Sequence, residues 1–597
     1  MMKIYSGVYN RKGKDMNHWL SIIFRVLLPL VFIFISLTVF ASSHSNVMNV
    51  PEKIIKGVVV DSLSGNPLPG VTIQIKGTSS GTTTNGKGAF QLSVSDEAVL
   101  VVSYLGYNEK KILVNGQTDI KISLSSSATS LDQVVVIGYG SVKKKDVTGA
   151  VSKIGSEKIE KRPMKNAVQA MQGQIAGVDV SSSQRPGEVG DITIRGVRSL
   201  TASNEPLYVV DGIPLTTGGI EYLNPNDIES ISVLKDASAT AIYGSRGANG
   251  VVLVTTKGGE KGRFKVNYSG SVSFLKMHNL ATLMNASQSI DYRRWAFYYS
   301  NPNLYPRGDE PTKKSDYQIF NGSGDPATWA NIERGWSSGK WDGSKVKTTC
   351  WTCLVTQPGI STQHTLSVSG GSEKMKGYAS FGYLNNKGTS KGQAYKRYTG
   401  NARLSFTPTK WFTFGANINA SYSKQNYGQS NTGRQTITSS GDIFHSAEII
   451  YTYTVPFDSA GNRILYPGGD QAVKTVMNEW KYSTDQRVAF RAFGSFNAQL
   501  DFGSIVPVLK GLSYRMNFGP DFSIHRDGVY IDGKSAIRNG TSYASLSKNL
   551  AISYTLDNLI YYNRTFGKND FHLTLLQTQT KYHTEGSDIS ADDIPFA

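Results

Sequence analysis

The sequence contains few of the residues that build redox, metal or nucleophilic sites. Only two of its 597 residues are cysteines, and eight are histidines. Cys350 and Cys353 form a Cys-x-x-Cys spacing without the four ligands of a structural zinc or the βαβ setting of a thioredoxin-type site. In an exported protein the pair is either a disulfide in a long loop or two free thiols. No catalytic triad, carboxylate pair or metal cluster is recognisable, which makes an exported hydrolase the weakest interpretation; we expect no enzymatic activity, metal or cofactor.

Charged residues and long hydrophobic runs are also scarce. Charged residues make up 18% of the chain, with a formal net charge of +18. Because no basic helix or zinc spacing accompanies this charge, it does not indicate a nucleic-acid partner; solvated faces or an anionic membrane surface account for it. The one long apolar run, residues 26–40, follows Arg25 and precedes small residues. It is shorter than the roughly 20 residues of a membrane helix, so we interpret residues 1–43 as a signal peptide.

Glycine and aromatic residues are abundant: the chain has 60 Gly, 31 Tyr and 24 Phe. This composition is typical of β architecture. Between residues 44 and 127, short β-branched runs alternate with Asn-Gly and Gly-Asn-Pro turn signals, which predicts a small β-sandwich. The predicted strands are residues 54–60, 71–76, 89–94, 99–104 and 120–124.

A ten-residue apolar stretch lies just beyond this domain, between a serine-rich segment and three consecutive lysines. Its centre has high strand propensity, yet its polar flanks supply no neighbouring strand. Such a segment can add to the sheet edge of another protein. The alternative is an ordinary buried strand. The stretch consists of Leu131, Asp132, Gln133, Val134, Val135, Val136, Ile137, Gly138, Tyr139 and Gly140.

Two series of motifs, in consistent order, resemble one family. The first series resembles the carboxypeptidase regulatory-like domain that precedes the SusC/RagA family of TonB-linked outer-membrane transporters. It comprises residues 70–71, 76–78, 81–90 and 103–107. The second series resembles the plug domain of that family and comprises residues 191–196, 206–214, 227–236 and 241–251. In this setting the ten-residue stretch resembles the TonB box, with Gln133 in place of the usual acidic residue.

The plug motifs mix charge with tight turns. A domain lodged inside a barrel meets a polar wall, where unpaired charge is costly. We hypothesise that Arg195 and Arg246 form salt bridges to the wall or within the plug; plain surface charge is the alternative. A helix is predicted over residues 166–174. The candidate structural residues of the plug are Arg195, Gly196, Asp211, Gly212, Asp236 and Arg246.

From residue 259 onward, long segments alternate between apolar and polar positions. In residues 411–422, Phe412, Phe414 and Ile418 fall on one face, and Asn417 and Asn419 fall on the other. Transmembrane strands show this pattern, but so do soluble sandwiches. The signal segment, the plug motifs and the aromatic content together favour a transmembrane barrel. Residues 287–363 are interpreted as loop with at most one hairpin, whose polar and aromatic residues suit sugar or peptide contact.

The resemblance implies a mostly β protein: a β-sandwich at 44–127, a TonB box segment at 128–140, an α+β plug at 141–258, and part of a 22-stranded transmembrane β-barrel at 259–597. We count roughly nine or ten strands in that last region, and the end of the sequence lacks a terminal amphipathic strand. We therefore expect the N-terminal part of a longer transporter.

The resemblance also implies a function and partners. The expected activity is import of oligosaccharides or peptides across the outer membrane of a Gram-negative bacterium. TonB would supply energy from the inner membrane, a SusD-like surface lipoprotein would act as a lid, and outer-membrane lipid would surround the barrel. The regulatory-like domain would lie in the periplasm. The alternatives are a surface binding or adhesion β-protein that does not transport, and a fragment without function.

Overall fold

The computed structural model describes two compact units, Met1–Asp132 and Gln133–Ala597. The predicted signal peptide lies outside the described residues, as do Leu131, Asp132, Gln133, Gly138 and Tyr139. Within the described ranges, no helix has both the length and the apolar character needed to cross a membrane. The described residues are 53–125, 134–137, 140–143 and 151–594, with gaps at 63, 79, 105–106, 184, 217, 279–281, 321–324, 430–442, 539 and 568.

The first unit is a β-sandwich with a conventional apolar core. A three-stranded sheet, ordered β4-β1-β7, and a four-stranded sheet, ordered β3-β2-β5-β6, contribute to one buried cluster. Strand alternation turns Ile55, Ile73, Leu100 and Ile122 inward, where each is 0% exposed. The predicted strands are present, and β3 and β6 are additional. The strands are β1 Lys53–Asp61, β2 Thr72–Ile75, β3 Gly81–Thr83, β4 Ala89–Val94, β5 Val99–Ser103, β6 Lys110–Leu113 and β7 Asp119–Leu124.

The apolar run of the ten-residue stretch forms a hairpin. Strand β8, Val134–Ile137, pairs antiparallel with β9, Gly140–Lys143. The expectation that this run lacks a neighbouring strand is therefore wrong, because the chain reverses after Ile137 and supplies its own partner. A two-stranded hairpin by itself is marginally stable in water.

The plug domain is built on a five-stranded mixed sheet ordered β10-β15-β16-β13-β14, beside the two-stranded sheet of β11 and β12. Its core contains Ile154, Ile192, Ile231 and Val252 among other apolar side chains. The strands are β10 Val151–Gly155, β11 Val178–Val180, β12 Ile192–Ile194, β13 Leu207–Val210, β14 Ile213–Pro214, β15 Ile228–Leu234 and β16 Val251–Thr256. The helices are α1 Ser156–Glu160 and α2 Ala237–Thr240, with 3-10 segments at Gln169–Met171, Pro225–Asp227 and Ala241–Gly247.

The helix predicted over residues 166–174 is wrong in extent. Only Gln169–Met171 forms a 3-10 turn, and its N-cap is Val168 rather than Asn166, although the Asn166 side chain accepts a hydrogen bond of 2.9 Å from the Gln169 N–H. Gly173 and Gly177 then adopt φ values of 68° and 73°. Glycine adopts this left-handed conformation readily, and it ends a helix.

The largest element is a nine-stranded antiparallel sheet, called here the barrel-type sheet. Each strand pairs with the next in chain order, and β17 and β25 are its two outer strands. The strands are 13 to 24 residues long, which exceeds the span of a typical soluble strand. They are β17 Gly262–Leu275, β18 Gly359–Gly371, β19 Met375–Lys387, β20 Ala394–Thr409, β21 Phe412–Asn426, β22 Ser483–Asp501, β23 Leu512–Ile531, β24 Tyr543–Phe566 and β25 Asn569–Asp592.

In this sheet the polar face is buried and the apolar face is exposed, which is the reverse of a soluble sandwich. On β21, the polar side chains of Asn417, Asn419 and Ser421 are 4%, 6% and 3% exposed, whereas Ile418 and Tyr422 are 47% and 43% exposed. The polar face packs against the plug domain, so the apolar face points outward. Sequence alternation alone left this choice open. Other exposed apolar side chains of the sheet are Leu366, Phe381, Tyr398, Leu404, Phe490, Ile524 and Ile552.

Long connections between strands carry helices, contrary to the loop predicted for residues 287–363. The first helix there starts with a reciprocal capping box between Asn285 and Gln288, a signal that the sequence interpretation missed. A disulfide joins Cys350, the N-cap of the helix Trp351–Val355, to Cys353 within that helix. The pair therefore lies at a helix start rather than in a loop. The helices are α3 Ala286–Ser300, α4 Lys313–Phe320, α5 Pro326–Glu333, α6 Trp351–Val355, α7 Ile443–Glu448 and α8 Glu479–Tyr482, with 3-10 turns at Arg334–Trp336, Gly343–Lys345, Phe502–Ser504 and Pro507–Leu509.

Candidate functional site

Asp211 joins the plug domain to the barrel-type sheet. It adopts φ of 48° in the turn between β13 and β14, so its carboxylate meets Thr256, whose N–H and hydroxyl donate hydrogen bonds of 3.0 and 2.8 Å. Arg403 of β20 forms an ion pair of 3.2 Å with the same carboxylate. The amide of Asn417 on β21 donates to it as well. A buried carboxylate with four donors is electrostatically satisfied, so Asp211 fixes the plug to the sheet.

A second contact centres on Arg491 of β22. Its guanidinium donates two hydrogen bonds to Asp521 of β23, at 3.0 and 2.7 Å. The side chain is 2% exposed. A third donor reaches the carbonyl of Gly219 in the plug at 3.5 Å. The forked geometry suits Arg because two parallel hydrogen bonds orient both groups.

The third contact involves Asp227, which directly precedes β15 of the plug sheet and is 2% exposed. The hydroxyl of Tyr378 on β19 donates to its carboxylate at 2.8 Å. Burial raises the pKa of Asp227 above its ordinary value, because an ionised carboxylate is poorly solvated there. Nearby, the amides of Asn224 and Asn226 both donate to Thr365 of β18, at 3.0 and 2.9 Å.

The other predicted plug residues have contacts within the plug. Arg195 forms an ion pair of 2.6 Å with Asp236, and Arg246 donates to the carbonyl of Leu215 at 2.7 Å. Gly196 and Gly212 have φ values of 87° and 86° and follow residues that are themselves left-handed. Of the predicted plug residues, the structure therefore places Asp211 in contact with the sheet. The contacts described for Arg195, Asp236 and Arg246 lie within the plug.

A cavity of about 260 Å³ lies between the plug and five strands of the sheet, β19 to β23. The plug supplies Lys165, Glu188 and Tyr222 to its lining, and the sheet supplies Arg397 and Asp527 among others. The sheet residues belong to the strand ends next to the long, helix-bearing connections. Its polar, charged lining suits a hydrophilic solute rather than a lipid or an apolar cofactor.

An aromatic ring links plug and sheet beside this cavity. The ring of Tyr427 lies between two guanidinium groups: Arg185 of the plug at 3.7 Å and Arg487 of β22 at 3.4 Å from the ring centroid. Arg185 also forms an ion pair with Glu188 at 3.3 Å. Cation–π contacts are strongest where water is excluded. Tyr427 and these two arginines thus connect the plug to the segment that follows β21.

The sequence interpretation missed the arginines of the sheet that hold the plug. Arg397 donates to the carbonyls of Glu221 and Lys165 at 2.6 and 3.0 Å, and Arg403 pairs with Asp211. A signal was present, because both arginines stand in phase with the polar positions of their strand. Arg491 pairs with Asp521 on another strand, which alternation within one strand could not specify.

Comparison with known proteins identifies the domains. Residues 143–251 match the family described as TonB-dependent Receptor Plug Domain, and residues 55–136 match the CarboxypepD_reg-like domain. TonB-dependent receptor SusC of Bacteroides thetaiotaomicron is 30% identical over 591 residues, which are 95% of this chain and 53% of SusC. TonB-dependent receptor P39 of Formosa agariphila is 30% identical over 551 residues, 90% of this chain and 47% of that protein. Over 90% or more of its length, this chain is similar to SusC-like TonB-dependent receptors.

A solved structure is similar to this chain in both fold and sequence. The RagAB peptide importer in its open-open state is 26% identical, has a TM-score of 0.60, and is matched over 77% of this chain and 50% of its own. The predicted fold class, mostly β with regulatory-like, plug and barrel regions, is confirmed. The predicted outer-membrane location agrees with these similarities to TonB-dependent receptors. The chain spans about half the length of the curated relatives it matches.

Proposed function

We propose that the protein is a TonB-dependent importer of oligosaccharides or peptides, working with a SusD-like surface lipoprotein. The observation that carries this proposal is the burial of a hydrophilic plug against the polar face of a sheet whose apolar face is outward. Apart from Phe493 of β22, which packs into the plug core, the contacts described above are polar, so water can replace most of them when the plug is displaced. RagAB, a peptide importer, resembles this chain in fold. The regulatory-like domain is assigned to the periplasm.

The β8–β9 hairpin is the proposed point of TonB attachment. In the part of the chain that the structure describes, β8 pairs with β9 and with no other strand. Its second edge is therefore open to β-augmentation by TonB, through backbone hydrogen bonds. Because a two-stranded hairpin is only marginally stable, little free energy is needed to open it when TonB pulls on the segment.

Deletion of Val134–Ile137 tests this assignment. We expect the variant to lose capture of the purified periplasmic domain of TonB and to lose uptake of labelled oligosaccharides and peptides, while surface binding of the same probes persists. Val135→Thr keeps high strand propensity and is the matched control. Undiminished TonB capture by the deletion variant would refute the attachment site. Unchanged uptake would instead favour a surface binding protein that does not transport.

A further inference from the structure

The plug–sheet cavity contains a lysine whose charge is not neutralised by the protein. Both backbone groups of Lys165 are fixed: its N–H donates to the side-chain oxygen of Gln169 at 3.1 Å, and its carbonyl accepts from Arg397 at 3.0 Å. The half-buried side chain lines the cavity. Burial lowers the pKa of Lys165, and no carboxylate of the described residues offsets this effect. The ammonium group thus lacks a counter-charge.

A second cation lies next to Lys165. Arg397 is 3% exposed, and its two terminal nitrogens donate to the carbonyls of Glu221 and Lys165. In the described ranges it forms no ion pair with a carboxylate. Two neighbouring cations in a partly buried cavity repel each other and favour an anion between or beside them.

An unsatisfied amide completes this group. Asn386 of β19 is 1% exposed, and its side-chain oxygen has no hydrogen-bond partner among the described residues. It lines the same cavity and pairs across the sheet with Tyr395, two residues from Arg397 on β20. Rotation of the amide by 180° would present its NH₂ group to the cavity instead of its oxygen. Asn386 can then donate to an anion at this end.

The acidic residues of the lining are engaged elsewhere. Glu188 is paired with Arg185 and accepts from Ser183. Asp527 lies on β23, directly opposite Arg487 of β22. Because β23 is three strands from β20, about 14 Å of sheet separates Asp527 from Arg397.

Glu221 also lines the cavity, and its backbone is in contact with Arg397 of this group. Its carboxylate accepts from the N–H of Gly219 at 3.1 Å. Its backbone carbonyl, rather than its carboxylate, accepts from Arg397. The cavity therefore has one end dominated by Lys165 and Arg397.

We propose that this end of the cavity binds a carboxylate group of the imported solute, with Lys165 as the charged anchor and the amide of Asn386 as a second donor. This inference rests on the proposed import function and adds the chemical class of the solute. A uronic acid of an acidic oligosaccharide and the C-terminus of a short peptide both carry the required group. Lys forms a strong charge-assisted hydrogen bond to either.

The test measures equilibrium binding to the whole purified protein in detergent, without TonB, by isothermal titration calorimetry. The probes are trialanine and its C-terminal amide, and trigalacturonate and neutral maltotriose. We expect at least one probe that carries a carboxylate to bind about tenfold more tightly than its counterpart without one, the effect of one hydrogen bond to a charged group. Lys165→Gln should remove this preference, and Lys165→Arg should retain it. Lys161→Gln, at an exposed lysine paired with Glu157, is the matched control.

The outcomes separate the sources of the carboxylate and the two proposals. A preference limited to trialanine assigns a peptide terminus, and a preference limited to trigalacturonate assigns a uronic acid. Three results would overturn the inference. The probes with and without a carboxylate bind equally, neither probe with a carboxylate binds, or the preference survives Lys165→Gln. Since the assay omits TonB, such a result leaves the import function to be judged by the hairpin deletion. Conversely, a failed deletion test does not alter the binding result.

Discussion

The regulatory-like sandwich and the barrel-type sheet use the same alternation of side chains and bury opposite faces. In the sandwich, Ile73 and Ile122 are fully buried between two sheets. In the barrel-type sheet, Asn417 and Ser421 are buried against the plug while Ile418 is exposed. A strand always presents two faces. What lies beyond each face, water and a second sheet in one case or lipid and a polar plug in the other, decides which one is buried.

This difference changes what holds each region together. The sandwich is stabilised by apolar burial, which is nondirectional and tolerant of small shifts. The plug and sheet are held largely by hydrogen bonds and ion pairs, such as Arg403 with Asp211 across the interface and Arg491 with Asp521 within the sheet. These contacts depend on geometry, and water can replace them individually. A plug that is to move during transport is better held by the second kind of contact.

The largest expected effect follows from breaking a buried ion pair of the sheet. Arg491→Met leaves the carboxylate of Asp521 buried without its bidentate partner. We expect a loss of about 3 to 5 kcal/mol in local stability, because the remaining charge is uncompensated. Hydrogen exchange of β22 and β23 in detergent measures it.

The double variant Arg491→Met with Asp521→Leu is the control for this prediction. It removes both charges and should recover most of the lost protection, since an apolar pair of similar size is often neutral relative to an ion pair. If the single variant retained wild-type exchange rates, the ion pair would have no structural role in the sheet.

An intermediate effect contrasts the two apolar faces directly. Ile122→Ala in the sandwich core should cost about 2 to 5 kcal/mol, because it creates a cavity. The same change at Ile418, which is 47% exposed, should cost roughly 0.5 kcal/mol or less. Site-resolved hydrogen exchange of each region provides the comparison. Equal losses at the two positions would contradict the assignment of an outward apolar face.

The smallest effect concerns the charge pair within the plug. Arg195 and Asp236 are in contact, but their side chains are 46% and 30% exposed. We expect a coupling free energy of about 0.2 to 1 kcal/mol from a double-mutant cycle with Arg195→Ala and Asp236→Ala, because solvent screens the pair. The cycle requires unfolding measurements of the four proteins in one buffer. A coupling above roughly 2 kcal/mol would show that the pair is more buried in solution than in this structure.

Much of the fold could be predicted because its signals are local. Strand alternation in residues 411–422 and 551–562 reports on neighbours two positions apart, and the turn residues of the sandwich report on their own backbone. The helices of the long connection after β17 were missed because their apolar residues pack in clusters with distant segments. Ile290, for example, shares a cluster with Tyr453.

The sequence by itself determined the strand pattern, the order of domains and the family, since each depends on residues close together in the chain. The tertiary structure decided two further features: the face of the sheet that is buried, and the convergence of Lys165, Asn386 and Arg397 on one cavity. Each of these joins segments whose positions are set by the packing of plug and sheet. Hydrogen bonds and charge pairs across such distances have no periodic signature in a single sequence.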